Sequence, residues 1–251
     1  MKKVLRKLFP LVFWLLVWAV CARLVGKELL LAPPGAVFRR FAFLGEASFW
    51  RTVGMSLGRT ALAYVIGVAL ACLLAALCSA WRWLDDLVRP ALAVIRATPV
   101  ASFIILALVW LSAANVPVLA GVLMVLPVVY ASAREGIDGA DRKLLEMARM
   151  FGWSRGKTWA KIIIPSALPG TLAACEACVG LCFKAAIAAE VIGTPKNAIG
   201  TRLYSAKIYL ETDSLMAWTL VVILLSILIE KLLKLLIRRL EKGRLSRVHH
   251  A

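Results

Sequence analysis

The chain has 251 residues, of which 62% are hydrophobic, and its mean hydropathy is +0.84. Soluble globular domains do not reach this apolar content, and several apolar runs are long enough to cross a bilayer. The sequence therefore predicts an all-α polytopic membrane protein without a separate soluble domain. The formal net charge of +17 does not indicate a nucleic-acid partner. The basic residues cluster in short loops beside apolar runs, where they orient the spans and attract anionic lipid headgroups.

The apolar runs predict about six transmembrane helices with both termini in the cytoplasm. We expect residues 1–51 to form an N-terminal transmembrane helix and an outer interfacial segment, residues 52–237 the main transmembrane domain, and residues 238–251 a basic cytoplasmic tail. The predicted spans are Leu8–Val25, Thr52–Ala80, Pro90–Leu111, Val116–Ala133, Leu168–Ile192 and Ser214–Leu236.

Two of these spans contain sequence features that predict helix geometry. In the second span, Gly54 and Gly58 are spaced as Gly-x-x-x-Gly, which allows close contact with another helix. In the third, Pro99 removes one backbone hydrogen bond and is expected to bend the helix. A short amphipathic helix is predicted between the fifth and sixth spans, through Leu203, Ala206, Lys207 and Leu210.

All six cysteines lie within apolar runs, which favours free thiols over disulfides. Cys175, Cys178 and Cys182 share one helix face, so that a metal or redox site is conceivable. No histidine or further cysteine lies nearby in sequence to complete a tetrahedral set. A packing role for these three small apolar side chains is the preferred interpretation, and no metal or other cofactor is expected.

The longest polar interruption, residues 134–170, must lie in water at a membrane face. It is predicted to contain two short helices and a hinge. Asp141 can cap the first helix, and Leu144, Leu145, Ala148 and Phe151 form one stripe along it.

The hinge of this polar segment is placed at Gly152. A helix that ends there favours a residue with positive φ, which glycine adopts at little cost. Ser154 can cap a second helix that runs to Ile163. Pro165 and Pro169 are expected to close the unit before the next span.

The same segment resembles the cytoplasmic EAA loop of ABC-importer permeases. The signature of that loop is Glu-Ala-Ala, three residues, Gly, nine residues, Ile, one residue and Leu-Pro. Here it corresponds to Glu146-Met147-Ala148, Gly152, Ile162 and Ile164-Pro165. The spacing matches throughout, and Met147 and Ile164 depart from the signature by apolar exchanges. Weaker similarity to the nitrate/sulfonate/taurine branch of these permeases lies in Arg96–Pro99, in Ala188–Gly193 and in the outer loop that follows.

The resemblance implies a fold like that of type I ABC-importer permeases, in a bacterial or archaeal cell membrane. It also implies a pore for a small nitrate-, sulfonate- or taurine-like solute, or for another small organic molecule. The partners would be an ABC ATP-binding subunit, an extracytoplasmic substrate-binding protein and a second permease copy, most simply an identical one. The residues that would contact the ATP-binding subunit are Glu146, Met147, Ala148, Gly152, Ile162 and Pro165. The chain contains no Gly-x-x-x-x-Gly-Lys-Ser/Thr, so it is not expected to be an enzyme that hydrolyses ATP by that route.

Glu176, Lys184 and Glu190 lie within the fifth span, where ionisable groups are costly and normally face water or a partner. These three residues and Arg96 are the candidates for lining a pore. For Lys184 the competing interpretation is a structural ion pair with another helix. For Glu190 it is an anchor at the helix end, and for Arg96 an interfacial residue beside a kink. The same three charges also permit a different function, an ion-coupled secondary transporter.

The predicted topology can be tested at two positions. Lys and Arg are more frequent in the segments assigned to the cytoplasm, which fixes the orientation of the chain. A membrane-impermeant maleimide should therefore label Lys196→Cys on intact cells, whereas Ser154→Cys should react only after the membrane is opened. Labelling of Ser154→Cys on intact cells would exclude a cytoplasmic location for residues 134–170, which we call the coupling loop.

Overall fold

The computed structural model describes residues 2–248, and within them it contains helices and no strand. Residues 249–251 of the predicted tail, including His249 and His250, lie outside the described residues. The described helices are α1 (Lys2–Val25), α2 (Pro34–Arg40), a 3₁₀ turn (Phe41–Gly45), α3 (Ala47–Ala80), α4 (Arg82–Ala97), α5 (Val100–Trp110), α6 (Val116–Asp138), α7 (Arg142–Met150), α8 (Arg155–Thr158), a π-helical segment (Trp159–Ile163), α9 (Ile164–Gly193), α10 (Ile199–Ile208) and α11 (Thr212–Val248).

Helix α6 is the centre of the fold, because it packs along both α3 and α9. The three helices approach closely through small side chains. At Gly121 of α6, an added Cβ would lie 2.6 Å from the Cβ of Ala63 and 2.9 Å from the Sγ of Cys182. Small residues give this close approach in membranes, where lipid is as apolar as the side chains and packing itself must hold the helices together. Cys175, Cys178 and Cys182 are free thiols buried in this core.

Three helical stretches of the described chain are long and apolar enough to cross a bilayer: Ala47–Ala80, Val116–Asp138 and Arg155–Gly193. The apolar part of α1, Val12–Val25, is shorter, and α4 and α5 together would make a fourth span only as a bent pair. The all-α membrane architecture is thus confirmed, whereas the number of six spans and the orientation of the termini remain predictions.

The third predicted span, Pro90–Leu111, is not one bent helix. The chain breaks between α4 and α5, and the two helix axes differ by 107°. Thr98 has φ −85° and ψ 130°, an extended conformation, because the ring of Pro99 disfavours the helical region for the residue before it. The predicted bend at Pro99 is therefore present, but as a break between two helices and not as a kink within a continuous one.

The prediction that Pro165 and Pro169 close the loop was also wrong. Helix runs without interruption from Arg155 to Gly193. In the π-helical segment the N–H of Ile164 donates to the carbonyl of Trp159, five residues back. Pro165 then occupies the first turn of α9, where its missing N–H costs little.

The Gly54-x-x-x-Gly58 pair makes no close contact within the described chain. Both glycines are exposed on α3, with no atom within 4 Å of an added Cβ. The glycines at close approaches are Gly67, Gly121, Gly136, Gly180 and Gly200 instead. The short helix predicted between the fifth and sixth spans is present as α10, but it ends at Ile208, and Leu210 lies beyond it with φ +56°.

Gly121 and Gly58 provide a matched test of the helix packing. We expect Gly121→Ala to lower the stability of the purified protein by about 1–3 kcal/mol, because the added methyl group overlaps Ala63 and Cys182. Gly58→Ala should be neutral or stabilising, since alanine favours the helix and nothing lies nearby. Thermal unfolding in detergent measures both. Equal stability of the two variants would contradict the close packing of α3, α6 and α9.

Candidate functional site

Helix α7 is capped at both ends by its own sequence. At the N-terminus, Oδ1 of Asp141 accepts a hydrogen bond from the N–H of Lys143 at 2.8 Å. This side chain satisfies one of the backbone donors that have no partner within the helix. The cap predicted at Asp141 is confirmed. Ser154 caps α8 in the same way, since its Oγ accepts from the N–H of Lys157 at 3.3 Å.

The C-terminus of α7 ends at Gly152 with φ +63°, which confirms the predicted hinge conformation. The N–H of Trp153 donates to the carbonyl of Ala148 at 2.9 Å, and the N–H of Gly152 to that of Arg149 at 3.1 Å. These two bonds form a Schellman motif, which fixes the direction of the chain as it leaves the helix. Nothing lies within 4 Å of an added Cβ at Gly152, so its requirement is one of backbone conformation alone.

Some residues of the predicted stripe on α7 are buried within the loop, and others are exposed on its surface. Ala148 is buried with Ile162 and Ala140, and Leu145 and Trp153 pack against them. By contrast, Leu144, Met150 and Phe151 are 43%, 87% and 75% exposed. The expectation that one stripe holds Leu144 and Phe151 together with Ala148 was therefore wrong.

The matched EAA-loop residues also fall into two groups. Ala148 and Ile162 are buried and hold the loop together, and Met147 is partly buried. Glu146, Gly152 and Pro165 are exposed. The loop thus presents a surface with one carboxylate and several large apolar side chains, supported from inside by a small apolar core.

Glu190 is fully buried at the outer end of α9. Its Oε1 accepts from Arg59 at 3.1 Å, and its Oε2 accepts from the Oγ of Ser56 at 2.8 Å and from the N–H of Gly200 at 3.1 Å. Arg59 also donates to the carbonyl of Lys196 at 3.1 Å. The carboxylate therefore joins α3, α9 and the start of α10, and its charge is compensated as a buried charge requires. This geometry supports the anchor interpretation over a pore-lining one.

Glu176 is paired with Lys234 of α11, at 2.7 Å between Oε1 and Nζ. Both side chains are partly exposed. The pair lies about 21 Å along α9 from Glu190, since the two residues are fourteen positions apart.

Lys184 differs from both carboxylates, because it is exposed and makes no ion pair with any side chain that the structure describes. It lies about 12 Å from the level of Glu176 and about 9 Å from that of Glu190 along α9. The exposed stripe to which it belongs consists otherwise of small and apolar residues: Gly170, Ala173, Ala177, Leu181, Ala188 and Ile192. A lysine at this depth is costly against hydrocarbon and normally faces water or another protein chain.

Arg96 lies at the end of α4 and donates from Nη2 to the carbonyl of Pro127 at 2.8 Å. It borders a cavity of about 590 Å³ between α4 and α6, together with Arg89 and Arg134. Buried Asp85 accepts from Tyr130 at 2.8 Å and pairs with Arg89 at 2.8 Å, so part of the positive charge is neutralised. These contacts connect α4 to α6.

Sequence reasoning missed Ser56 and Arg59 as the partners of Glu190. The signal was present as two polar residues one turn apart near the start of the second span. Glu230, which lies within the sixth predicted span directly before Lys231, was also missed.

Comparison with known proteins decides which family this architecture represents. The family model for the binding-protein-dependent transport system inner membrane component matches residues 63–244. The chain belongs to this family. It is therefore a multi-pass inner-membrane permease subunit of an ABC importer, a class that works with an ATP-binding subunit and a substrate-binding protein.

Two relatives show the range of similarity. The permease protein SsuC of Bacillus subtilis (strain 168), named for aliphatic sulfonates transport, is 26% identical over 191 residues, which are 76% of this chain and 69% of SsuC. The taurine transport system permease protein TauC of Escherichia coli (strain K12) is 25% identical over 230 residues, which are 89% of this chain and 83% of TauC. The permease also shares its fold with a crystal structure of an amino acid ABC transporter, with a TM-score of 0.63 and 23% identity over 76% of this chain and 94% of that one.

A substitution series at Gly152 tests whether the loop geometry serves coupling. Valine at φ +63° strains the backbone by on the order of 1–3 kcal/mol, which tilting of α7 would relieve. We expect Gly152→Val to insert into the membrane, to copurify poorly with the ATP-binding subunit and to transport little. Gly152→Ala should be milder, and Gly152→Asn milder still, because asparagine tolerates the left-handed region.

Gly156→Ala is the matched control for this series. Gly156 lies in the same loop, has no positive φ and has no neighbour within 4 Å of an added Cβ. It should copurify and transport like the wild type. Wild-type copurification and uptake in Gly152→Val would refute the hinge.

Proposed function

We propose that two copies of this permease form the membrane pathway of an importer for a small sulfonate-like solute, driven by ATP hydrolysis on a separate subunit. The proposal rests mainly on the exposed surface of the coupling loop. Leu144, Met150 and Phe151 are exposed on an aqueous segment whose backbone is fixed at both ends. Exposed apolar clusters on a rigid scaffold are typical of protein interfaces.

The path from this surface into the membrane is mechanically direct. The second half of the loop and α9 form one continuous helix of 39 residues, which is about 58 Å long. A displacement of the loop by the ATP-binding subunit therefore moves α9 as a body. When two such subunits close on bound ATP, they would draw the two coupling loops together. The permease would then change between its inward-facing and outward-facing states, because ATP binds more tightly to the complex in one of them.

The exposed stripe of α9 that contains Lys184 is the proposed lining of the pathway. The stripe is narrow and mostly small, so a solute can pass close to the helix, and Lys184 supplies one positive charge halfway along it. A single exposed ammonium attracts an anionic solute without holding it tightly. The names of the relatives SsuC and TauC, which refer to aliphatic sulfonates and taurine, agree with an anionic group on the solute.

The same exposed stripe also supports a second permease copy in the complex. One protomer leaves Lys184 open on its surface, and a facing protomer would enclose the stripe in a pathway shielded from lipid. An identical copy is the simplest such partner, because it would present the same stripe across a twofold axis.

An ion-coupled secondary transporter has less support. That function requires carboxylates that can gain and lose a cation during transport. Glu176 is bound to Lys234, and Glu190 is bound to Arg59, Ser56 and Gly200. Neither is left available in this arrangement.

The proposal can be tested by measuring uptake into proteoliposomes. These contain the permease, its ATP-binding subunit and its binding protein. Uptake should require internal ATP and should persist when a protonophore removes the proton gradient. Lys184→Met should lower the maximal rate about tenfold with normal assembly, since the charge that attracts the solute is lost. Lys184→Arg should retain most of the rate.

Two outcomes would contradict this proposal. Uptake driven by an ion gradient without ATP would favour the secondary transporter. A fall in the abundance of Lys184→Met, with a normal rate per molecule, would show that Lys184 belongs to a structural pair, because a stranded partner charge destabilises the fold.

A further inference from the structure

Asp85 is a buried carboxylate that attaches α4 to α6. It lies in the first turn of α4, and its side chain is only 10% exposed. Its Oδ1 accepts a hydrogen bond from Tyr130 at 2.8 Å, and its Oδ2 lies 3.6 Å from Nη2 of Arg134. Tyr130 and Arg134 are one turn apart on α6, so that the carboxylate holds two successive turns of that helix. Its third partner is Arg89 of α4, at 2.8 Å.

Arg134 extends this connection to the coupling loop. Its guanidinium also pairs with Asp138, in the last turn of α6. Two residues beyond Asp138, Ala140 is buried with Ala148 and Ile162 in the small core of the loop. A chain of contacts therefore runs from α4 through Arg134 to the loop.

The guanidinium of Arg134 is shared between two carboxylates and is not saturated by them. Its Nε is buried and has no acceptor among the residues that the structure describes. The distance of 3.6 Å to Asp85 is longer than that of a charged hydrogen bond. Both pairings use the same guanidinium, so that a shift of α4 relative to α6 strengthens one at the expense of the other.

The two helices have room to shift, because the cavity of about 590 Å³ separates α4 from α6 beside this network. Its walls include the small side chains of Ala93 on α4 and Ala131 on α6, and small residues allow helices to approach closely. At the far end of α4, Arg96 is attached to the carbonyl of Pro127 at 2.8 Å. The chain then breaks at Thr98, so that α4 can pivot at that end without carrying α5 with it.

We propose that Asp85 is a positioning residue of transport, which transmits movement of the coupling loop to α4. The cavity between α4 and α6 would then open and close with the nucleotide state of the ATP-binding subunit. The inference rests on the proposed function, because that subunit moves the loop. It adds a second connection from the loop into the membrane, since the continuous helix that ends at Gly193 connects the loop directly to α9 alone. Asp85 itself touches no solute and acts through Tyr130 and Arg134.

The cavity can be probed without knowledge of the solute. In the purified complex of permease and ATP-binding subunit, Ala131→Cys places a thiol on the cavity wall, and its reaction with N-ethylmaleimide is followed by mass spectrometry. The tryptic peptide from Ala97 to Arg134 contains no native cysteine, so that the other thiols do not interfere. The reaction rate should differ about fivefold or more between the nucleotide-free complex and the complex trapped with ATP and vanadate, as for typical coupling between distant sites.

Asp85→Asn in this background should make the two rates equal, while the complex still assembles and hydrolyses ATP. Asparagine can still accept from Tyr130, and Arg134 keeps its pair with Asp138, so that no buried charge is stranded and the fold should survive. Asp85→Glu keeps the charge and should restore most of the difference. Asp86→Asn makes the same chemical change at the exposed neighbouring position and should behave as the parent complex.

A merely structural ion pair would give a different result. Asp85→Asn would then unfold at a lower temperature but keep the difference in rate, which would overturn the inference. Equal rates in the two states of the parent complex would also overturn it, and ATP-dependent uptake would still leave the proposed function standing. A permease that no ATP-binding subunit drives would overturn both.

Tyr130→Phe decides the question if Asp85→Asn does not assemble. This change removes one hydrogen bond of the network and no charge. It should reduce the difference between the two rates, because α4 is then held less firmly to α6. An unchanged difference in an assembled Tyr130→Phe complex would overturn the inference.

Discussion

The continuity of the helix from Arg155 to Gly193 is the constraint on which the rest of the molecule depends. Its first turns belong to the aqueous loop, its middle packs against α6, and its outer end holds Glu190. One hydrogen-bonded rod therefore connects the surface formed by α7 to the outer network of Arg59 and Ser56. The π-helical turn allows this continuity, because it changes the hydrogen-bond register just before Pro165. The missing N–H of Pro165 falls in the first turn of α9, so that the loop and the span remain one helix.

The coupling loop could be predicted from the sequence in detail because its geometry is local. Asp141, Gly152 and Ser154 each act on backbone groups within a few residues, and all three adopt the predicted conformation. The loop signature and the all-helical class were likewise readable from spacing and composition, and the family match agrees with them. What the sequence could not specify was which side of α7 would be covered, since that depends on where Ala140 and Ile162 meet it.

The two prolines show where local reasoning fails. Thr98 before Pro99 is extended and the chain breaks there, whereas the chain stays helical through Pro165. The start of α9 is also packed closely against α6, where Gly136 meets Ala167. The partners of Glu190 and Glu176 were also unpredictable. Arg59 and Lys234 lie on other helices, and only the packing of α3 and α11 brings them within reach.

In the proposed pathway along α9, the ionisable residues would attract a charged solute without binding it tightly. Glu190 is neutralised near the C-terminal end of α9 and Glu176 nearer its N-terminal end, so that neither contributes a strong field to the exposed stripe. Lys184 stands alone between them, and Glu230 reaches the stripe only because Gly180 has no side chain. A solute moving along α9 would thus meet one weak charge at a time. Each contact can be exchanged for the next at little cost, as is required of a pathway that must release its solute. A site that brought Glu176, Lys184, Glu190 and Glu230 together would instead retain the solute.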